Sequence, residues 1–178
     1  MSTGESRRLV IDACVARAAG DTAEGGSPCR EFLTSVLTIC HRVVLNHELR
    51  AEWDHVGGRF ARSWLVAMQS KSKVVSVARD PASDAIWQKI GNSLGQNQRV
   101  VAKKDFCLVE AAIETDGVIV SLERKARTAF GKAAAAVPEL RTIVWVDPAA
   151  EDETPIQWLQ EGANREPARF IGQAPRSR

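Results

Sequence analysis

Residues 104–123 read KDFCLVEAAIETDGVIVSLE, and this stretch decides the fold class. Asp105 stands where a helix begins, a position that favours carboxylates for capping and for the helix dipole. Phe106, Val109, Ala112 and Ile113 recur at helical spacing and give one apolar face. Asp116-Gly117 breaks that helix, because Gly117 can take the left-handed conformation at little cost. Val118, Ile119 and Val120 are a run of β-branched residues, the signature of a buried parallel strand. Ser121-Leu122-Glu123 comes next at its carboxyl end, the edge where ligands bind in open α/β sheets. The pattern predicts that Asp105 and Glu123 converge on one crevice.

The remaining chain repeats the theme. Leu9-Val10-Ile11 predicts a short strand that ends on Asp12, which is either a ligand or the cap of the next segment. Residues 17–29 read as a Gly- and Ser-rich mobile loop. Phe32, Leu33, Val36, Leu37 and Cys40 mark an amphipathic helix. Residues 42–45 predict a second strand, Asn46 a cap, and Leu49, Trp53 and Val56 the buried stripe of the next helix, which carries Glu52. Residues 59–78 read as helix, residues 83–94 as another, closed by Gly95-Gln96-Asn97, and Val100-Val101-Ala102 as a brief strand or extended linker. After Glu123 come a helix over 124–136, a strand over 140–146, a turn at Asp147-Pro148 and a last helix capped by Thr154. Strands alternating with helices imply a three-layer α/β sandwich with a mainly parallel central sheet.

A chain of 178 residues, 44% of them hydrophobic, fits one domain with a proper core. The expected organisation is one domain over 1–163 and a loose Arg-rich tail over 164–178. No apolar run is long enough for a membrane span, and the opening MSTGESRRLVID lacks the apolar region of a signal peptide, so the expected location is cytoplasmic. Cys14, Cys29, Cys40 and Cys107 form no C-x-x-C pair and no zinc spacing with His41, His47 and His55. They read as reduced thiols. The net charge of +2 hides an asymmetry: residues 57–104, a basic helical segment, carry nine Lys or Arg against two acids. A basic middle beside converging acids suggests a polyanion held next to a metal. Trp64 and Trp87 lie in that segment as candidates to stack on a base, while Glu110, Glu114 and Asp116 read as solvated.

Asp12, Asp105 and Glu123 therefore stand near strand ends or helix starts, with Glu52 as the fourth acid. Crowded carboxylates need a cation, and hard oxygen donors select Mg²⁺ or Mn²⁺, ions that neutralise phosphate esters and generate hydroxide.

The order of these residues resembles the PIN domain, a nuclease fold. VIDACV is similar to the family's opening strand and its acid, here Asp12. VVLNHELRAEW resembles the strand and helix that carry the family's glutamate, here Glu52. KKDFCLVEAAIETDGVIVSLERKAR is the most specific match, an acid-led helix, a break, an apolar strand and a Thr/Ser-x-Asp ending. The ending departs from the pattern, with Ser121-Leu122-Glu123 in place of Thr-x-Asp, a carboxylate one methylene longer. The resemblance covers residues 8–56 and 100–146.

It implies a metal-dependent endoribonuclease with Asp12, Glu52, Asp105 and Glu123 as catalytic acids, and Asp12, Asp105 and Glu123 as ligands of Mg²⁺ or Mn²⁺. Ser121 would support the acids. Lys103, Lys104, Arg124, Lys125, Arg59 and Arg62 would hold the RNA backbone. The family also implies the toxin of a toxin–antitoxin pair, an inhibitory protein partner and a homo-oligomer. The alternative is a PIN-like RNA-binding or scaffold module with little or no activity.

Overall fold

The computed structural model describes residues 5–20 and 26–173. Five strands form one all-parallel sheet: β1 (Arg8–Ile11), β2 (Arg42–Leu45), β3 (Val74–Ser76), β4 (Val118–Val120) and β5 (Val144–Val146), in the order β3-β2-β1-β4-β5. The helices are α1 (Ala13–Ala18), α2 (Pro28–Thr38), α3 (His47–Val56), α4 (Arg59–Ser70), α5 (Ser83–Ser93), α6 (Gln96–Lys104), α7 (Phe106–Ile113), α8 (Arg124–Ala133) and α9 (Pro155–Gln160). One group packs α2 against α1, α4 and α9; a second packs α8 against α5 and α6, and α6 against α7. Helix α3 touches members of both, α1, α4 and α7. The result is the α/β three-layer arrangement, the Val, Ile and Leu runs of β1, β2 and β4 buried on both faces and the edge strand β3 partly exposed. Among the described residues no helix is long and apolar enough to cross a membrane.

The sheet's order reverses between β1 and β4, so a crevice opens outside their carboxyl ends. Val10 pairs with Ile119 and Ile11 with Val120, which sets Asp12 and Ser121 side by side as the next residues of each strand. Val10 also pairs with Val44, and Val120 with Val146. The same register therefore brings Asn46 and Asp147 to that edge. Four strands end in a row of polar residues, each buried among apolar neighbours.

Several local expectations differ from the structure. Residues 74–76 form the edge strand β3 rather than the end of a helix. Val100, Val101 and Ala102 lie inside α6, and Gly95-Gln96-Asn97 opens that helix instead of closing the previous one. The strand expected over 140–146 is only Val144–Val146, preceded by a short 3-10 turn at Pro138–Leu140. Thr154 takes the left-handed conformation, with φ 43°, and makes no side-chain cap. Of the loop expected over 17–29, residues 17 and 18 end α1, residues 28 and 29 begin α2, and 21–25 lie outside the described residues. The tail is not loose over 164–173: Phe170 bridges Val144, the Ile171 amide donates to the Ile143 carbonyl at 2.9 Å, and Ile171 is buried. A Cβ on Gly131 would meet the Ile171 carbonyl oxygen at 2.4 Å, so only glycine permits that approach. Residues 174–178 lie outside the described residues.

The acids expected to be solvated include two that are paired. Glu110 is buried and lies 3.3 Å from Arg79 Nε. Asp116 accepts from the Arg8 amide at 2.7 Å, from Arg8 Nε at 3.1 Å and from Arg8 Nη2 at 2.6 Å. Burial raises the Asp116 pKa, but the Arg8 bonds outweigh it and hold the carboxyl below its usual range. Asp116 thus fastens the start of β1 to the break before β4, where Gly117 has φ 69°. Asp116→Ala should cost about 1–2 kcal/mol, since bonds to a charged acceptor are lost at a half-buried site. Urea denaturation would show a lower midpoint at an unchanged slope.

Candidate functional site

Asp12 leaves β1 and caps α1, its Oδ1 accepting from the Cys14 amide at 3.1 Å. Its Oδ2 accepts from Ser121 Oγ at 2.7 Å. With its proton committed to Asp12, the Ser121 hydroxyl accepts from the Glu123 amide at 3.1 Å. The Ser121 carbonyl accepts from Trp145 Nε1 at 3.3 Å. One buried serine, 1% exposed, thus ties the ends of β1 and β4 to the backbone of Glu123.

Asp105 and Glu123 hold the N-cap positions of α7 and α8, yet neither side chain makes a capping bond. Their carboxylates are not consumed by the local structure, whereas Asp12 serves as cap and edge acid together. Glu52 stands exposed on α3. Helix α3 is held toward α7 by Asn46, whose Oδ1 accepts from the Leu49 amide at 2.9 Å and whose Nδ2 donates to the Cys107 carbonyl at 3.0 Å.

Electrostatics connect these four segments. Burial pushes the Asp105 carboxyl up to about 6, and Asp12, Glu123 and Glu52 push it the same way, against the pull of Lys104. Although exposed on α3, Glu52 is raised by partial desolvation and by Asp12, against Lys104 and Arg17. The Cys107 thiol, pushed up to about 12 by burial, also feels Glu52, Asp12 and Asp105. Burial and Asp12 likewise raise Cys14, which lies 3.7 Å from Ser121 Oγ. Two thiols beside four acids are therefore protonated bystanders.

The donor chemistry suits a hard divalent ion, because the carboxylates repel one another and only partial relief comes from Lys104 and Arg17. Among the described residues no three or more His, Cys, Asp or Glu stand as a ready ligand set. The acids share one field without yet sharing one point.

Of the expected RNA-binding residues, Lys103 and Lys104 are exposed in the last turn of α6, next to Asp105. Arg124 and Lys125 are exposed in the first turn of α8, and Arg124 Nε lies 3.5 Å from Asp147 Oδ2. Arg59 and Arg62 are exposed in the first turn of α4. Trp64 cannot offer a face to a base: it is 3% exposed and stacks on Trp53 at 5.1 Å. Sequence reasoning missed Arg17 near Glu52, the tether from Asn46 to α7, and Asp147 as a buried acid at the end of β5. The last had the same signal as Asp12, an acid directly after an apolar strand.

The folded chain keeps its proton on Asp105 up to about pH 6, and the unfolded chain loses it near 3.8. On this group, stability rises as pH falls through that window, and the ionised form is a burden above it. Asp105→Asn should therefore stabilise the metal-free protein at about pH 7.5, by about 1–2 kcal/mol once solvent screening is allowed for. The melting temperature should rise by about 2–6 °C, with the gain fading toward about pH 4. Thermal scans of both proteins across that range check the sign; a loss at neutral pH would contradict the cost of an ionised Asp105, set first by burial and then by the neighbouring acids.

No family model, no curated protein and no solved structure matches this chain.

Proposed function

We propose that the chain is a PIN-like, metal-dependent endoribonuclease hydrolysing RNA phosphodiesters. The observation that carries this reading is the raised pKa of Asp105, which burial sets first and to which the charges of Asp12, Glu123 and Glu52, each from a separate segment, add. Perturbed carboxylates of this kind cluster at functional sites, where a ligand relieves the charge or a reaction uses it.

Asp12, Asp105 and Glu123 would hold Mg²⁺ or Mn²⁺. When bound, the ion supplies charge neutralisation and Lewis-acid polarisation of the phosphodiester and the attacking water. Ser121 keeps Asp12 oriented, because its hydroxyl donates to Oδ2. Glu52, with its raised pKa, is a better proton acceptor than an ordinary carboxylate and would take the proton of the attacking water. Lys103 and Lys104 on one side, and Lys125 on the other, would hold backbone phosphates by charge. Arg124 must exchange Asp147 for phosphate to take part. An inhibitory antitoxin-like partner and a homo-oligomer belong to this reading, and toxicity on expression, relieved by a partner protein, tests that setting.

The second reading is a PIN-like RNA-binding scaffold with weak or no activity. It is favoured by the lack of a ready three-ligand set among the described residues.

One pair of measurements separates them. Single-stranded RNA with Mn²⁺ should be cut by the wild-type chain, and Asp12→Asn or Asp105→Asn should slow cleavage by about 10²–10⁴. Unchanged cleavage in both variants overturns the nuclease assignment. Mn²⁺ at about 100 times its Kd should add about 2.7 kcal/mol to wild-type stability, and far less to Asp12→Asn. A scaffold would bind RNA with no such metal-linked gain.

A further inference from the structure

Beside the acids, between α5 and α6, lies an open hollow of about 560 Å³ lined by Trp87, Gln96, Arg99, Val100, Lys103 and Lys104. Its size falls within the range of small-ligand sites. The lining holds three cations and no acid. Arg99, Lys103 and Lys104 have no ion-pair partner among the described residues. Val100 stands 69% exposed in the midst of them, an apolar shelf in a basic helix.

Trp87 adds an independent sign. Four of the five indole N–H groups donate to backbone carbonyls: Trp53 to Ile11, Trp64 to Leu33, Trp145 to Ser121 and Trp158 to Asn164. Trp87 is only 9% exposed, yet its N–H has no acceptor among the described residues. Its Nε1 reaches solvent, so the N–H is open to an acceptor on a ligand. Its ring is held rigidly, with Phe106 at 5.2 Å and Lys103 Nζ 4.6 Å above its centroid.

We propose that this hollow binds one nucleotide of a single-stranded RNA, as a positioning subsite next to the acids. The base lies on Val100 and the aliphatic stem of Lys103, and a base carbonyl accepts from the Trp87 indole N–H. Arg99, Lys103 and Lys104 take the flanking phosphates. The join to the acids is Lys104, which lines the hollow and also pulls on Asp105 and Glu52. A planar apolar body with an acceptor on its edge and an anion on each side is the repeating unit of a single strand. A duplex hides its bases and could not use the shelf. The subsite rests on the nuclease reading only for the adjoining scissile bond; strand binding does not depend on it.

The test measures anisotropy of a labelled oligouridylate with the full chain in EDTA, so that nothing is cut. Val100→Glu should weaken binding about tenfold and Trp87→Phe about threefold to tenfold, while Lys132→Gln, exposed on α8, should change it less than about twofold. Val100 is solvent-exposed, so its variant keeps the fold. Wild-type affinity in both Val100→Glu and Trp87→Phe overturns the subsite. So does equal binding of a matched duplex, or of polyglutamate with the same dependence on Val100. Binding lost in Val100→Glu, in a chain that cuts nothing with Mn²⁺, upholds the subsite and removes the nuclease reading alone. Cleavage and binding both unaffected by Val100→Glu remove the subsite alone.

Discussion

The bond from Ser121 Oγ to Asp12 Oδ2 is the constraint on which the crevice depends. It joins the two strands at which the sheet's order reverses, at the last inter-strand bonds, where the Asp12 amide donates to the Val120 carbonyl at 3.0 Å and the Ser121 amide to the Val146 carbonyl at 3.1 Å. A buried carboxylate at that point needs donors, and it receives two, the serine hydroxyl and the Cys14 amide. The serine in turn fixes the Glu123 amide, so the start of α8 is set by the same atom that steadies Asp12. Loss of this hydroxyl would free the end of β4 and the entry of α8 together.

Around that anchor the molecule tolerates charge crowding that most folds avoid. Asp105 and Glu52 both sit above their ordinary pKa, and the cations nearest them, Lys104 and Arg17, do not cancel the effect. Elsewhere the chain pairs its half-buried acids well: Asp116 with Arg8, Glu110 with Arg79, Glu153 with Arg127. The contrast is local and chemical. Those three acids have arginine partners, whereas Asp105 and Glu52 have no ion pair among the described residues.

Much of this was legible in the sequence, for definable reasons. Apolar triplets such as Val118–Val120 can hardly be anything but buried strands, and an acid or amide directly after one falls at the ligand edge of a parallel sheet. The placing of Asp12, Ser121 and Glu123 needs that rule alone. What failed to show was whatever depends on tertiary partners. Val74–Ser76 is partly exposed at the edge and lacks the apolar density of the inner strands, so it merged into the preceding helix. Val100-Val101 mimics a strand because two β-branched residues stand together, yet only Ala102 of that helix is fully buried and the helical period prevails. The packing of residues 164–173 turns on one close approach, Gly131 to Ile171, which no pattern encodes. Asn46 read as a cap and is one, but its second bond, to the Cys107 carbonyl, exists only once α3 and α7 meet.

The helical state of residues 96–104 alters how the basic segment meets the acids. As an extended linker, Lys103 and Lys104 would point to opposite sides, and one would face away from Asp105. On a helix, Arg99 and Lys103 stand one turn apart, as do Val100 and Lys104, and all four line the same hollow. Helix α6 then hands over directly to α7 through Asp105, whose backbone leaves the helical path while its carboxylate stays uncapped. A cationic helix end and an acid with no ion-pair partner among the described residues are thus consecutive residues, with no spacer between the basic segment and the crevice.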